Sequence, residues 1–247
     1  MFDHVTIRAR DRAASERFYN TVLQTLGVDE SYRTRTFTEW QDFGLTAADS
    51  EHPPTHRLHV GFVSGDRARV EDFWRAGTEA GYTDNGPPGR RTQYGPEYYG
   101  AFLLDPDGNS AEAVHDSRPR RGGIIDHVWI RVAELGRARA FYDTIAPHAG
   151  LRKGHDGPER VQYHGETGSF LLLAGDPTKY LHMAFPTDDD GDVERFHEAA
   201  VEAGYESNGV PAERRRYHPG YYAAYVLDPD GNNIEVVNHH DRPERPA

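Results

Sequence analysis

Six residues of types that bind metal ions occur in two sets of three: His4, His59 and Glu112, followed by His127, His182 and Glu235. Within each set the intervals are 55 and 53 residues. Two neutral imidazoles and one carboxylate form a three-ligand set, which leaves coordination positions open for water, a substrate or dioxygen. Such an open set is typical of a catalytic metal site rather than a structural one.

The segments around these residues indicate how they are positioned. Polar and apolar residues alternate through residues 4–9, which predicts a half-buried strand with His4 on its polar face. The run from Leu58 to Val63 predicts a second strand that carries His59, and Glu112 lies on the last predicted strand of the first repeat. The ligands have small or polar neighbours on their own side, so we expect the apolar side chains to point the other way, into a core.

A structural role is the alternative for each candidate ligand. A histidine on a strand is more often a hydrogen-bonded core or surface residue than a metal ligand, and a duplication also copies neutral residues. However, neighbouring positions have diverged between the two repeats, as Thr6 against Trp129 and Ser110 against Asn233 illustrate. All six candidate ligands keep their type and spacing, and this difference favours metal binding at one site at least.

The chain is a tandem repeat. Shifted by 123 residues, the sequence matches itself at the Asp-His-Val triplets that begin at Asp3 and Asp126, and at the Leu-Asp-Pro-Asp-Gly-Asn runs that begin at Leu104 and Leu227. Two repeats of this length indicate paired domains rather than a solenoid. We predict domain 1 at residues 1–117, a linker at 118–123, domain 2 at 124–240 and a loosely ordered tail at 241–247.

Within each repeat, segments with a period of two alternate with segments of helical period. Each repeat therefore reads as two strand–helix–strand modules. In the first repeat, Asp11 and Asp66 are predicted to cap the two helices, and Gly27 and Gly81 to end them.

The composition limits the class of protein. The 247 residues include 28 Lys and Arg against 40 Asp and Glu, a formal net charge of −12, which argues against a generic nucleic-acid binder. There is no cysteine, which removes disulfides, thiolate ligands and cysteine nucleophiles. No apolar stretch approaches the roughly 18 to 20 residues of a membrane span, and Met1 leads into a strand-like pattern without the marks of a secretory signal. We expect a cytoplasmic protein that does not cross a membrane.

Taken together, these motifs resemble the vicinal oxygen chelate superfamily, which includes glyoxalases, fosfomycin- and bleomycin-resistance proteins and extradiol dioxygenases. The resemblance rests on the Asp-His-Val triplets, the Phe-Tyr pairs at Phe18 and Phe141, the second histidine of each set and the Leu-Asp-Pro-Asp-Gly-Asn runs. It implies an α+β fold of two tandem domains, each built of paired βαβββ modules that form a U-shaped, mostly antiparallel sheet around one metal ion. It also implies that the histidines and glutamate of each set are the metal ligands.

Extradiol dioxygenases have three ligands and, in addition, an outer histidine and a tyrosine on the strand before the turn. The resemblance assigns these catalytic positions to His218 and Tyr225, where the first repeat has Gly95 and Phe102. On this basis the second repeat contains the active site. The alternative is that Tyr225 is an ordinary cross-strand aromatic residue and His218 a loop residue. The extradiol pattern is met only in part, because Ala224 stands where a large apolar residue precedes the tyrosine.

Glyoxalases add a fourth ligand, Glu or Gln, on the last strand of the first module. Residues 169–173 of the second repeat offer none, and the first repeat offers only Glu39 or Gln41. The missing fourth ligand makes the glyoxalase interpretation less favoured than the dioxygenase interpretation.

Substrate-binding residues are predicted beside the ligands. Arg8 and Arg131 lie four residues after the first histidine of each set, on the ligand face, where a guanidinium could hold an anionic group. A solvated arginine at a strand end is the alternative. Tyr99 and Tyr222 belong to aromatic loops that we predict to form a rim suited to a small planar ligand. His239, near the tail, is not assigned to a site.

The lead hypothesis is a metal enzyme in which an octahedral divalent cation, first of all Fe(II), binds two adjacent oxygens of a small substrate and serves as the meeting point for dioxygen. The second is a non-redox isomerase, lyase or thiol transferase that uses Mn, Ni, Co or Zn. The third is a protein that sequesters a cationic drug, as bleomycin-resistance relatives do, although the intact ligand sets argue against it. We expect a monomer or homodimer that binds no nucleic acid.

The sequence leaves open which repeat supplies which ligand. All three ligands of a site could come from one repeat. Alternatively, the first histidine could join the second histidine and the glutamate of the other repeat, which groups the candidates as follows: His4 with His182 and Glu235, and His127 with His59 and Glu112.

Overall fold

The computed structural model describes residues 1–116 and 122–240. Residues 118–121 of the predicted linker and the whole predicted tail, 241–247, lie outside the described residues. None of the helices within the two described ranges is long and apolar enough to cross a membrane.

The first repeat folds in the following order: β1 (His4–Ala9), α1 (Arg12–Thr25), β2 (Tyr32–Arg33), β3 (Phe37–Trp40), β4 (Phe43–Ala47), β5 (Leu58–Val63), α2 (Arg67–Glu79), β6 (Thr83–Arg90), β7 (Tyr99–Leu104) and β8 (Ser110–His115). The second repeat has the same order: β9 (Ile125–Val132), α3 (Leu135–Ile145), a short 3-10 helix (Ala146–His148), β10 (Arg152–Asp156), β11 (Arg160–His164), β12 (Ser169–Ala174), β13 (His182–Pro186), α4 (Asp190–Glu202), β14 (Ser207–Glu213), β15 (Tyr222–Leu227) and β16 (Asn233–Asn238).

The helix ends follow from local chemistry. The side chains of Asp11 and Asp66 accept hydrogen bonds from the backbone amides of Ala14 and Arg69, as predicted for N-caps. Just after these helices, Gly27 and Gly81 adopt φ values of 80° and 85°, a left-handed conformation that favours glycine.

The strands form two eight-stranded sheets, and each sheet draws on both repeats. The first sheet has the order β14-β15-β16-β13-β1-β4-β3-β2, and the second has the order β10-β11-β12-β9-β5-β8-β7-β6. Antiparallel pairing of β1 with β13, and of β5 with β9, joins the repeats at the centre of each sheet. The predicted α+β fold of paired βαβββ modules is therefore confirmed, and each sheet combines the first module of one repeat with the second module of the other.

The two modules of one repeat lie in different sheets and contact each other through their helices and through facing strands, as where Phe43 on β4 packs on Phe62 on β5 with ring centroids 5.2 Å apart. Phe18 on α1 packs edge-to-face against Tyr82, which follows α2, with ring centroids 4.8 Å apart. Phe141 and Tyr205 form the equivalent contact in the second repeat, also at 4.8 Å. Buried apolar residues on the helix side of both sheets form one continuous core, so the apolar positions of the strands do point away from the ligands.

The Leu-Asp-Pro-Asp-Gly-Asn runs are structural. Asp105 accepts a buried hydrogen bond from the hydroxyl of Tyr19 at 3.0 Å, and its carboxylate also accepts from the side chain of Asn109. Asn109 in turn donates to the carbonyl of Thr55 and accepts from the amide of Leu58, the residue before His59. The run therefore fixes the loop that leads into a ligand-bearing strand, and the second repeat reproduces this network.

Two threonines connect the repeats beside the sites. Thr55 accepts from the amide of Arg8 and donates to the carbonyl of Tyr180 at 2.7 Å. Thr178 accepts from the amide of Arg131 and donates to the carbonyl of Arg57 at 2.6 Å. We call this pair of buried threonines, Thr55 and Thr178, the threonine clasp.

Candidate metal centres

Among the described residues, two groups of three side chains are close enough together to hold a metal ion: His4, His182 and Glu235, and His59, Glu112 and His127. We call them the His4 site and the His127 site. Each takes its first histidine from one repeat and its other two residues from the other, because β1 pairs with β13 in one sheet and β9 with β5 in the other. Of the two groupings left open by the sequence, the structure has the exchanged one.

In the His4 site, His4 Nε2 lies 2.9 Å from His182 Nε2, and His182 Nε2 lies 2.9 Å from Glu235 Oε2. His4 Nε2 is 3.7 Å from the same carboxylate oxygen. Glu235 is fully buried, and its Oε2 atom has no hydrogen bond of acceptable geometry within the described chain.

The His127 site repeats this arrangement more compactly. The Nε2 atoms of His59 and His127 are 2.9 Å apart, and they lie 3.1 and 3.2 Å from Glu112 Oε2. A Cβ atom on Gly61, the cross-strand partner of His127, would collide with the His127 ring. The glycine is therefore required by the close approach of this ring.

Both groups fit a divalent cation. Two ligand atoms that each lie about 2.1 Å from an ion, at a right angle to each other, are about 3.0 Å apart, whereas a tetrahedral angle separates them by about 3.4 Å. Five of the six distances, from 2.9 to 3.2 Å, match the right angle. The buried Glu235 Oε2 lies 2.9 Å from His182 Nε2 but makes no hydrogen bond of good geometry within the described residues, which is a further sign that the His4 site is arranged to bind a cation.

Hydrogen bonds also fix the ligand atoms that lie outside the cluster, which are the Nδ1 atoms of the histidines and the Oε1 atoms of the glutamates. His4 Nδ1 lies 2.7 Å from Asp3 Oδ1, and His127 Nδ1 lies 2.8 Å from Asp126 Oδ1, so the Asp of each Asp-His-Val triplet orients its histidine. Tyr221 donates to Glu235 Oε1 at 2.6 Å, and Tyr98 donates to Glu112 Oε1 at 2.8 Å. The remaining histidines are held by Asn233 and Ser110.

Burial and charge divide the ligands into two kinds. Burial lowers the pKa of His59 and of His182, which keeps these imidazoles neutral. Burial also disfavours the charged form of His127, but hydrogen bonds to Asp126 and Glu112 outweigh it and raise the pKa of His127 to about 9. The hydrogen bonds from His127 and His59 likewise overcome burial at Glu112 and lower its pKa to about 2.

The two sites differ most in the space beside the ligands. The His4 site opens into a cavity of about 1280 Å³, while a cavity of about 610 Å³ adjoins His59 at the other site. Trp129 packs on the rings of His59 and His127, with centroids 4.8 and 5.2 Å away, where the first sheet has Thr6. Leu171 pairs with Trp129 on the neighbouring strand, where the first sheet pairs Gly44 with Thr6.

The predicted catalytic residues both line the larger cavity. Tyr225 pairs with Glu235 across β15 and β16, and its ring lies 6.3 Å from that of His182. Its hydroxyl is buried and bonds to no residue that the structure describes. His218 lies at the cavity wall and stacks on His239, with ring centroids 5.1 Å apart. In the second sheet, Phe102 takes the place of Tyr225 and contacts His59.

The predicted arginines lie at different cavities. Arg8 lines the larger cavity with His4 and His182, and partial burial lowers its pKa. Within residues 1–116 and 122–240 its guanidinium makes no hydrogen bond or ion pair. Arg131 is exposed and lines the smaller cavity.

The predicted aromatic rim requires a correction. Tyr99 and Tyr222 lie on the helix side of their sheets, where their hydroxyls donate to Glu71 of α2 and Glu194 of α4. They are thus directed away from the ligands. The preceding residues, Tyr98 and Tyr221, face the sites instead, because neighbouring side chains on an extended chain point to opposite sides.

The candidate fourth ligands do not join the metal group. Glu39 on β3 is nearly buried and lines the larger cavity, but it lies outside the cluster of His4, His182 and Glu235. Gln41 is exposed in the turn between β3 and β4, with φ of 55°.

One further residue was not anticipated from the sequence. His239, which follows β16, donates to Asp3 through Nε2 at 2.7 Å and therefore contacts the partner of His4. The sequence did contain a signal for it: His239 follows Glu235 by an even number of residues, four, and alternate residues of an extended segment share one face.

Comparison with known proteins agrees with this geometry. The family model of the Glyoxalase/Bleomycin resistance protein/Dioxygenase superfamily matches residues 1–113 and 124–236. The chain therefore belongs to this superfamily, as the sequence motifs and the exchanged metal sites indicate. No curated protein is similar enough in sequence to match the chain.

Solved structures share the fold at low sequence identity. Glyoxalase I from Zea mays superposes with a TM-score of 0.67 at 18% identity, over 96% of this chain and 92% of that one. A candidate dioxygenase from Bacillus subtilis superposes with a TM-score of 0.63 at 14% identity, over 98% of this chain and 85% of that one. At these identities the comparison establishes the fold alone.

Proposed function

We propose that the chain is a divalent-metal-dependent enzyme whose active centre is the His4 site, acting on a small substrate with two adjacent oxygens. The observation that carries this proposal is the large cavity beside three clustered ligands, which Tyr225 helps to line and where its buried hydroxyl makes no hydrogen bond of good geometry within the described residues. A buried hydroxyl without a partner is costly, so its presence next to a ligand carboxylate favours a role in binding or catalysis.

The His127 site is, in our proposal, the more enclosed metal centre. Its first histidine is 3% exposed, against 22% for His4. Trp129 packs on both imidazoles, and the adjoining cavity of about 610 Å³ is smaller than the cavity of about 1280 Å³ at the His4 site. A metal ion held there would still join the two repeats, because its ligands come from both.

Three residues of the larger cavity have proposed roles toward the substrate. The Tyr225 hydroxyl is placed to donate to a substrate oxygen beside the ligands, and burial raises its pKa, which keeps it protonated. His218 at the cavity wall is the candidate for proton transfer. Arg8, a half-buried cation without an anionic hydrogen-bond partner in the described chain, is placed to bind a carboxylate or similar group of the substrate.

The site residues are His4, His182 and Glu235 as ligands, with Fe(II) as the preferred ion. When bound, the ion would supply Lewis-acid polarisation of two substrate oxygens and, as iron, dioxygen chemistry. Two imidazoles and a carboxylate on one face of an octahedral ion are typical of non-haem iron oxygenases, which supports a dioxygenase-like reaction as the first candidate.

A non-redox isomerase, lyase or thiol transferase that uses Mn, Ni, Co or Zn is the second candidate. Glu39 favours it, because this carboxylate is nearly buried in the wall of the same cavity and could act as a general base. The absence of cysteine is compatible with a reducing, cytoplasmic location, which we include in the proposal.

The first test is elemental analysis of protein purified without oxygen or chelator, followed by assays of dioxygen consumption with catechols and of isomerisation with hemithioacetals. Iron together with catechol-dependent oxygen consumption would support the first candidate, and another metal with hemithioacetal turnover the second. His182→Ala should lose far more activity than His59→Ala. Equal losses would contradict the assignment of the His4 site as the active centre, and a folded wild-type chain that binds no metal after reconstitution would overturn the proposal as a whole.

A further inference from the structure

A chain of hydrogen bonds leads from the His4 ligand to the wall of the larger cavity. His4 Nδ1 bonds to Asp3 Oδ1 at 2.7 Å, and Asp3 Oδ2 bonds to His239 Nε2, also at 2.7 Å. His239 Nδ1 lies 2.8 Å from His218 Nε2, and His218 Nδ1 lies 2.7 Å from the carbonyl of Pro219. These hydrogen bonds link four side chains. Asp3 and His4 lie at the start of β1, His239 follows β16, and His218 lies in the loop between β14 and β15.

The donors in this chain can be assigned by counting acceptors. A carbonyl oxygen only accepts, so His218 Nδ1 carries a proton and donates to Pro219. Because the Asp3 carboxylate only accepts, His239 Nε2 carries a proton and donates to Asp3 Oδ2. One proton is shared between His239 Nδ1 and His218 Nε2, which lie 2.8 Å apart.

Among the described residues, this series of hydrogen bonds occurs at only one of the two candidate metal sites. At the positions equivalent to His239 and His218, the second sheet has Asp116 and Gly95. Neither imidazole of the chain therefore has a counterpart at the His127 site. The Asp-His pairs themselves, Asp3 with His4 and Asp126 with His127, are the same in both sites.

We propose that His239 is a positioning residue of the His4 site, which fixes the Asp3 carboxylate so that the His4 ring presents Nε2 to the metal. The inference rests on the proposed function, since it assumes that the His4 site binds a metal ion. A hydrogen-bonded partner of a ligand orients the ligand ring and raises its basicity, and removal of such a partner typically costs about 10- to 100-fold in metal affinity.

The His239 ring has a second contact that must be separated from this role. It packs edge-to-face on Tyr221, with ring centroids 4.9 Å apart, and Tyr221 donates to Glu235. A truncation of His239 could therefore disturb the ligands through packing alone. Two conservative variants separate the effects, because Gln places an amide nitrogen near the His Nε2 position and Asn places one near the Nδ1 position.

The experiment is a titration of the metal-free full chain with Co(II), followed through its visible absorption bands, with a competing chelator to obtain dissociation constants. The phase that His182→Ala abolishes belongs to the His4 site, and the phase that His59→Ala abolishes belongs to the His127 site. The His127 phase serves as an internal measure of correct folding in every variant. His240→Ala, which removes an exposed histidine paired with Asp190, is the matched control.

We expect His239→Ala and His239→Asn to weaken Co(II) binding at the His4 site about 10-fold or more and to shift its absorption bands, with the His127 phase unchanged. His239→Gln and His240→Ala should stay within about twofold of the wild type, since they retain the donor to Asp3. Wild-type affinity in His239→Ala, or a loss in His239→Gln as large as in His239→Ala, would overturn the inference. A wild-type chain without any phase sensitive to His182→Ala would instead contradict the proposed function.

Discussion

At the residue scale, the two sites share their ligands and differ in the side chains that face the cavities. Both have an Asp behind the first histidine and a Tyr hydroxyl on the glutamate. Divergent positions on the substrate side include Thr6 against Trp129 and Tyr225 against Phe102. Divergence on this side is expected if both copies keep a metal and one copy keeps access to it.

Tyr225→Phe tests the role of the unpartnered hydroxyl. Activity should fall about 10²- to 10⁴-fold if this group takes part in proton transfer or charge stabilisation. The free energy of unfolding should stay the same or rise slightly, because the hydroxyl has no protein partner to lose. Steady-state kinetics and urea unfolding measure the two effects.

Tyr222→Phe is the matched control, since it removes a hydroxyl from the same strand on the helix side. It should leave kcat within about twofold of the wild-type value, as expected for a surface hydrogen bond. An equal loss of activity in the two variants would show that the effect comes from the strand as a whole and not from the site.

Metal binding at the His127 site should depend on pH. The pKa of His127 is raised to about 9, so a proton occupies this ligand at neutral pH and must leave when a metal binds. Affinity for Co(II) at this site should rise about tenfold per pH unit from pH 7 to 9 and then level off. Competition titrations at several pH values would reveal this slope, and a flat profile over that range would contradict it.

The same shift affects the metal-free protein. Because the folded pKa of His127 lies above the ordinary value of about 6.5, its ion pair with Glu112 stabilises the fold fully below that pH. This contribution should disappear as the pH rises through about 9. Urea unfolding of the apoprotein at pH 6, 7.5 and 9, with His127→Gln for comparison, measures the slope, which should be shallower in the variant.

Site residues could be predicted where their types and spacing recur in both repeats. They were harder to predict where the role depends on which face of a strand the side chain occupies. The six ligands stand out because their intervals are the same in both repeats. The site-facing tyrosines could not be chosen in this way. Tyr98 and Tyr99 are adjacent, and a shift of one residue exchanges the two faces of a strand. The turns before β7 and β15 set that register, and neither has a sequence signal strong enough to fix it.

At the element scale, the loops before β5 and β13 are the parts that place His59 and His182. The threonine clasp and the side chains of Asn109 and Asn232 hold these loops by buried hydrogen bonds. The clasp also joins each loop to the opposite repeat, through the carbonyls of Tyr180 and Arg57. A ligand strand of one repeat is thus positioned partly by the other.

Thr55→Val should destabilise the fold by about 1–3 kcal/mol, because it keeps the shape of the side chain but leaves the amide of Arg8 and the carbonyl of Tyr180 without their partner. Urea unfolding measures this change. Thr21→Val, on the exposed side of α1, is the control, and it should cost no more than about 0.5 kcal/mol. Similar values for the two variants would argue against a structural role for the clasp.

Local elements were largely predictable from the sequence. The caps at Asp11 and Asp66 and the glycines after α1 and α2 occur as expected, because each satisfies a local backbone requirement. The short edge strand β2 and the exposed β10 carry no clear alternation, since little of either is buried. Periodicity cannot report a strand whose two faces are both in water.

At the scale of the whole molecule, each sheet is made by both repeats, and packing of helices and of the inner sheet faces holds the two modules of one repeat together. The sequence could not decide this arrangement. Both groupings of the ligands have the same intervals, and only the pairing of β1 with β13 and of β5 with β9 distinguishes them. Such long-range pairing depends on the complementarity of whole surfaces rather than on local pattern.

A fragment of residues 1–116 tests this exchange. Alone, it would leave the edges of β1 and β5 unpaired, and exposed edges of this kind associate with other strands. We expect a symmetric dimer in which each sheet joins the first module of one copy to the second module of the other. Light scattering coupled to size-exclusion chromatography would measure the mass, and a folded monomer that binds metal would contradict the exchanged arrangement.

The order in which the ribosome delivers the strands separates the maturation of the two sites. All ligands of the His127 site have been synthesised once β9 is complete, whereas the His4 site must wait for β16. Glu235, the last ligand of the His4 site, follows His127, the last ligand of the His127 site, by 108 residues. At about 5–20 residues per second, the delay amounts to roughly 5 to 20 seconds. A nascent chain therefore completes the ligand set of the His127 site first, and it completes the ligand set of the His4 site only after β16 has been synthesised.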